Sequence, residues 1–229
     1  MKKKRSKRFK KLTDETKENK INFFEEAVIK VKKNCNTKFN ESIDVSLNLN
    51  LKQKKEEVNL RTIVNLPNGN GKKVKVAVLC EESKIEDAKI SGAEMFGAET
   101  LINDITAGKI NFDKLIATPA MMSKMGKLGK ILGPKGLMPN PKLGTVTNDL
   151  KKAVKALKDG QIEIRNDKDG NLGASIGKKD FTDDKIKENF NALIQTILKE
   201  KPNGIKGDFI LSSFLTSTMG ISYKLKVKG

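Results

Sequence analysis

The chain has 229 residues, 37% of them hydrophobic, which is enough for one large or two medium domains with real cores, and it has no apolar run near the roughly 20 residues that cross a bilayer. A formal net charge of +18, from 46 Lys and Arg against 28 Asp and Glu, points to a polyanionic partner, because neutralised phosphates release condensed counterions. Histidine is absent and Cys35 and Cys80 lack CxxC spacing, so an ordinary zinc site and any His-based triad are excluded.

The first segment, MKKKRSKRFKKL, is an acid-free basic run that reads either as a solvated tail or as an RNA-contacting arm. Arg5 and Arg8 lie in it. With Arg61 and Arg165 they are the only four arginines, so the field comes mainly from Lys, a mobile point charge suited to backbone contact. A helix is expected over 22–33, with Phe23, Phe24, Ala27, Val28 and Val31 on one face and Asn22 with Glu25 as an N-terminal cap pair. Ile43, Val45, Leu47, Leu49 and Leu51 alternate with polar residues as in a half-buried antiparallel strand, and a second strand is expected at 58–66.

LPNGNGKK (66–73) breaks the rhythm. Beyond it, a strand at 74–80, helices over 85–92 and 99–107 and a strand at 114–117 predict a small parallel α/β unit. A helix carrying Leu150, Val154 and Leu157 ends at Gly160. Then come strand QIEIRN, an Asp169-Gly170 hairpin turn, strand ASIGK, a helix over 183–200 with an apolar stripe from Ile186 to Leu198, and strands in DFILSSFLTST and ISYKLKV. Residues 22–66 alone offer too little sheet to stand by themselves, but joined to 161–229 they complete an α+β layer pair. The expected fold is therefore α/β and α+β in two domains. Residues 1–67 and 160–229 form a discontinuous α+β domain, interrupted by an α/β insertion at 68–159.

Several segments invite a chemical reading. GASIGKK (173–179) has three residues between its glycines where a Walker A loop has four, and no Ser or Thr follows its Lys, so nucleotide binding is not expected. In 118–147, Lys124, Lys127 and Lys130 recur every third residue and share a face if helical, before a Pro- and Gly-rich loop containing Lys135. This segment reads either as a basic helix with an ordinary loop or as a preformed surface for RNA or another domain. In NTKFNES (36–42), Phe39 is a core residue or, exposed beside Lys38, a stacking platform. STMG (217–220) is by itself a weak signal, and Arg165 and Lys168 suit phosphate if their turn lies beside the other two segments. An enzyme using the α/β unit lacks GxGxxG after the first strand and an acid/base pair, and a membrane-surface protein lacks a lipidation motif.

GKLGKILGPKGLMPNPKLGTVT (126–147) resembles the diagnostic segment of the bacterial large-subunit ribosomal protein L1 family, and KFNES, LPNGNG, NFDKLIATP, RNDKDG, IGK, KENFNALI and STMG follow in family order. The resemblance implies a non-enzymatic, cofactor-free, cytoplasmic and ribosome-associated protein of the large ribosomal subunit, with the discontinuous domain as its RNA-binding domain and the insertion as a Rossmann-like domain. Such a protein binds large-subunit rRNA as the mobile stalk at the tRNA exit site, assists release of deacylated exit-site tRNA, represses translation of its own operon mRNA, and has no membrane partner. It also implies an RNA surface of Lys38, Phe39 and Ser42 with Thr218, Met219 and Gly220, to which the reading of the residues adds Arg165 and Lys168 as phosphate contacts and Lys124, Lys127, Lys130 and Lys135 as a secondary basic surface. Thr62, Asn68 and Gly173 depart from the family's usual RG, LPHG and His-containing patterns.

Overall fold

A computed structural model describes residues 6–15, 21–51, 60–202 and 205–226. In chain order its elements are α1 (Lys7–Glu15), α2 (Phe24–Lys33), β1 (Ser42–Leu49), β2 (Arg61–Asn65), β3 (Val76–Leu79), α3 (Ile85–Ile90), β4 (Met95–Gly97), α4 (Glu99–Thr106), β5 (Lys114–Ala117), α5 (Met122–Met125), α6 (Gly129–Leu132), α7 (Leu150–Lys158), β6 (Gln161–Arg165), β7 (Asn171–Lys178), α8 (Asp183–Lys199), β8 (Ile210–Ser217) and β9 (Tyr223–Leu225). It is a mixed fold with three sheets among the described residues. Contacts divide the chain into two compact units, Met1–Gly71 with Glu163–Gly229, and Lys72–Ile162.

In the first unit an antiparallel sheet runs β7-β1-β8-β9, so β1 pairs with strands more than 120 residues away in sequence. The alternation read from β1 is realised: Ile43, Val45, Leu47 and Leu49 are buried, each contributing about 1.5–3 kcal/mol of apolar burial. Helices α2 and α8 pack on this sheet and on each other, with Phe24 stacked on Phe190 at 4.3 Å. In α8, Ile186, Phe190, Leu193 and Ile197 are buried at helical spacing, and Asp183 and Asp184 occupy the first turn, where the helix dipole favours them. Strands β2 and β6 make a separate two-stranded sheet.

Four local expectations are corrected. Asn22 caps nothing. Helix α2 starts at Phe24 without a side-chain cap, while the Asn22 backbone bridges β9 and its side chain accepts from Lys30 Nζ, because strand-like pairing to Leu225 satisfies that residue first. Phe23 is exposed rather than on the apolar face. The basic run is not wholly a solvated tail, since Lys7–Glu15 is helical and buries Leu12; residues 1–5 lie outside the described set. The Asp169-Gly170 turn forms, yet its two strands enter different sheets and are linked by an Asn166–Leu172 bridge rather than by a ladder. Of the strand expected at 58–66, residues 58 and 59 are outside the described set.

In the second unit, parallel strands run β4-β3-β5. Every residue of β3 is buried because the sheet is covered on both faces, which is why its sequence is continuously apolar. Ala77, Leu79, Leu115 and Ala117 face α4 and the 121–132 segment, whereas Val76, Val78, Cys80 and Ile116 face α3 and α7. Strand β4, three residues long, was missed in the sequence because it lacks a run long enough to show a period. Helix α7 buries Leu150, Val154 and Leu157 and is followed by Gly160 at φ 108°, a conformation that L side chains resist.

Candidate RNA interface

The connections α2–β1 (residues 34–41) and β8–β9 (218–222) lie side by side, because the start of β1 pairs with the end of β8 through Ile43 and Ser217. The main chain stitches them together. Ser42 N donates to Thr218 Oγ1 at 3.0 Å, and Thr218 N donates to the Ser42 carbonyl at 3.1 Å. Lys38 and Thr218 are exposed, Ser42 and Gly220 are half-buried, and Phe39 and Met219 each keep 51% of their surface in solvent. Phe39 is thus not a core residue. Two large apolar side chains left in water on adjoining loops, with a Lys and hydroxyls beside them, suit stacking and ribose contact.

Beneath the loops lies a residue that the sequence reading passed over. Glu41 is fully buried, and its two carboxylate oxygens serve different segments. Oε1 accepts from Thr37 Oγ1 at 2.9 Å and Thr37 N at 3.4 Å, while Oε2 accepts from Ser217 Oγ at 2.8 Å and Met219 N at 3.1 Å. Burial pushes this carboxyl up, but the hydrogen bonds from Ser217, Met219 and Thr37 prevail and hold it below its ordinary value of 4.5. Arg8 of α1 brings Nη2 to 3.9 Å from Oε1, a charge contact without a hydrogen bond. The Glu41 carbonyl accepts from Lys179 N at 2.9 Å, and Lys179 Nζ donates to the Cys35 carbonyl at 2.8 Å, which ties the loop to the end of β7. A Cβ at Gly220 would collide with Ser217 Oγ, the group that donates to Glu41. The available signal was an acid inside KFNES in a chain of net charge +18.

Arg165 and Lys168 are exposed but are not brought to these loops. The β1–β7 register runs from Ser42 opposite Lys178 to Asn48 opposite Asn171, so the 166–170 turn sits at the far end of the sheet, about 20 Å away at about 3.3 Å per residue. Gly173–Lys178 is strand, not a phosphate loop. Among the departures, Asn68 donates to Glu188 at 2.6 Å and Thr62 to Glu200 at 3.3 Å, so both serve local packing on or beside α8, and Gly173 lies exposed on β7 opposite Ser46.

In the second unit, residues 119–132 coil through alternating 3-10 and α turns. Met121, Met125, Leu128 and Leu132 point inward, and Lys124, Lys127 and Lys130 point outward. Lys124 pairs with Glu99 at 3.0 Å. Lys135 is exposed in the following loop, which is fixed by Asn140 N donating to Thr145 Oγ1 at 2.8 Å and by two backbone bonds between Ala117 and residues 145 and 147. No helix among the described residues is long and apolar enough to cross a membrane.

The profile of the Ribosomal protein L1p/L10e family matches residues 31–221. The chain is 59% identical to the large ribosomal subunit protein uL1 of Pelagibacter ubique (strain HTCC1062), over 97% of each chain. It is 46% identical to that of Rickettsia bellii (strain OSU 85-389) and 45% identical to that of Rickettsia conorii (strain ATCC VR-613 / Malish 7), in each case over 87% of this chain and 83% of the relative. Residues 34–41 and 218–221 of the two loops and the Lys-Gly segment fall inside the matched span, and the chain belongs to the Ribosomal protein L1p/L10e family.

Proposed function

We propose that the chain is a structural protein of the large ribosomal subunit that grips folded large-subunit rRNA with Lys38, Phe39, Ser42, Thr218, Met219 and Gly220, without performing a reaction. One observation carries this reading: two loops distant in sequence adjoin and present an exposed aromatic, a thioether and hydroxyls over a fixed hydrogen-bonded base. Hydroxyl and main-chain groups read ribose 2′-OH and phosphate positions, so recognition is of RNA shape, and the surrounding Lys supply salt-dependent affinity.

In this reading, residues 1–67 with 160–229 are the RNA-binding domain and 68–159 a Rossmann-like inserted domain. Arg165 and Lys168 make a separate phosphate contact, and Lys124, Lys127, Lys130 and Lys135 face exit-site tRNA. The protein forms the mobile stalk in the cytoplasm, assists departure of deacylated tRNA, and represses its own operon mRNA. What supports these finer roles is family membership and the exposure of the cations. The test is equilibrium binding to the large-subunit stalk rRNA fragment and to an unrelated RNA duplex of equal length, across salt. The proposal expects tight, salt-sensitive binding to the fragment alone; equal affinity for the two RNAs refutes it.

A further inference from the structure

A buried carboxylate under a surface meant for phosphate is electrostatically unfavourable unless it does something that a neutral group cannot. Glu41 has no exposed surface, so it does not touch RNA. We propose that Glu41 is the positioning residue of the interface, clamping the Phe39 loop and the Met219 turn into a single rigid RNA-reading surface. The inference rests on the proposed RNA-binding role of those loops.

The geometry supplies the argument. One oxygen accepts both Thr37 donors, and so holds the loop carrying Lys38 and Phe39. The other accepts Ser217 Oγ and Met219 N, and so holds the turn carrying Thr218 and Met219. Thr37 Oγ1 also lies 3.1 Å from the Phe39 carbonyl, which shortens the path from the clamp to the exposed ring. A carboxylate is the only side chain of this size with acceptor capacity on both ends and no donor. An amide has a single oxygen, so one of the two loops must lose its acceptor. Charge-assisted bonds are also stronger and shorter than neutral ones, which favours one loop arrangement over many. Arg8 sits 3.9 Å from the same carboxylate and offsets part of its charge, so helix α1 is coupled to the clamp.

The test uses full-length Glu41→Gln with the stalk rRNA fragment and the unrelated duplex as probes, together with amide hydrogen exchange. Affinity for the fragment falls by about tenfold, the consequence of leaving one buried donor pair unmet, while affinity for the duplex is unchanged. Exchange protection falls at Met219 or Thr37 and persists at Val45 and Leu47 in the sheet. Ser217→Ala removes one of the carboxylate's four donors and leaves the carboxylate in place, so it serves should the Gln variant misfold; it lowers fragment affinity about threefold and loosens the Met219 amide. Undiminished fragment affinity in folded variants overturns the inference. So does protection lost throughout β1, which reduces Glu41 to an ordinary structural residue. A wild-type chain that binds both RNAs alike instead removes the functional reading beneath it.

Discussion

The two candidate surfaces of this molecule are built in opposite ways. In residues 119–132 the pattern is local: apolar side chains at three- and four-residue spacing enter the core, and the lysines between them are left in water. The interface of the first unit exists only after β1 and β8 have paired, and it is held by a buried carboxylate with four donors. Charge on a local helical face gives affinity that any polyanion can share, whereas groups fixed by tertiary hydrogen bonds give shape discrimination.

The largest effect separating the two should come from their supports. Met125→Ala removes a fully buried side chain beneath the lysines and is expected to cost about 2–5 kcal/mol in urea unfolding, with the preference for the rRNA fragment retained in the folded protein. Met219→Asp, which puts a charge on the turn proposed to meet RNA, and Thr218→Val, which deletes a hydroxyl donor and acceptor, are expected to weaken fragment binding by about 2 kcal/mol, close to thirtyfold, in filter binding. Gly220→Ala displaces Ser217 Oγ from Glu41 and should lower stability by about 1–3 kcal/mol on thermal unfolding, with a parallel loss of fragment binding.

Acid offers a finer cut. Because the folded-state Glu41 carboxyl is held below its ordinary 4.5, the stability it contributes is complete above that value and is lost as pH falls through the folded value. Glu94 and Asp113 in the second unit are also lowered, Glu94 by Lys158 and Val76 against its burial, Asp113 chiefly by Lys75 N. The wild type therefore loses stability below pH 4.5, and Glu41→Gln loses less over the same interval, as read by chemical denaturation at each pH. Arg8, Lys179 and Cys35 also lie around that carboxylate. The smallest effect is expected from Lys127→Ala or Lys130→Ala, which should change stability by no more than about 0.5 kcal/mol and weaken binding to all RNAs by a similar small factor.

Periodicity made β1, β3, β5, α4, α7 and α8 readable, because each carries one clear apolar face or a continuous apolar run. It gave no access to β4, which is too short to show a period, or to α1, whose polar composition concealed the burial of Leu12. Pairing was the larger gap: nothing in RNDKDG tells that β6 joins β2 while β7 joins β1. At the candidate site the residues alone left Phe39 open between core and surface and made STMG a weak signal, so Lys38, Phe39 and Met219 were named only through the family resemblance, and the base of the site was not named at all. Glu41 has a function only through Thr37, Ser217 and Met219, and that grouping is made by the register of β1 against β8.

The most direct test of the division between fixed loops and local charge is a salt titration of RNA binding. It compares the wild type, Thr218→Val, and the triple substitution Lys124→Ala, Lys127→Ala, Lys130→Ala, each with the stalk rRNA fragment and an unrelated duplex. The predicted result is that Thr218→Val collapses the fragment-to-duplex affinity ratio without altering the salt slope, while the triple variant leaves that ratio intact. Loss of the ratio in the lysine variant, with Thr218→Val behaving as wild type, would contradict the account.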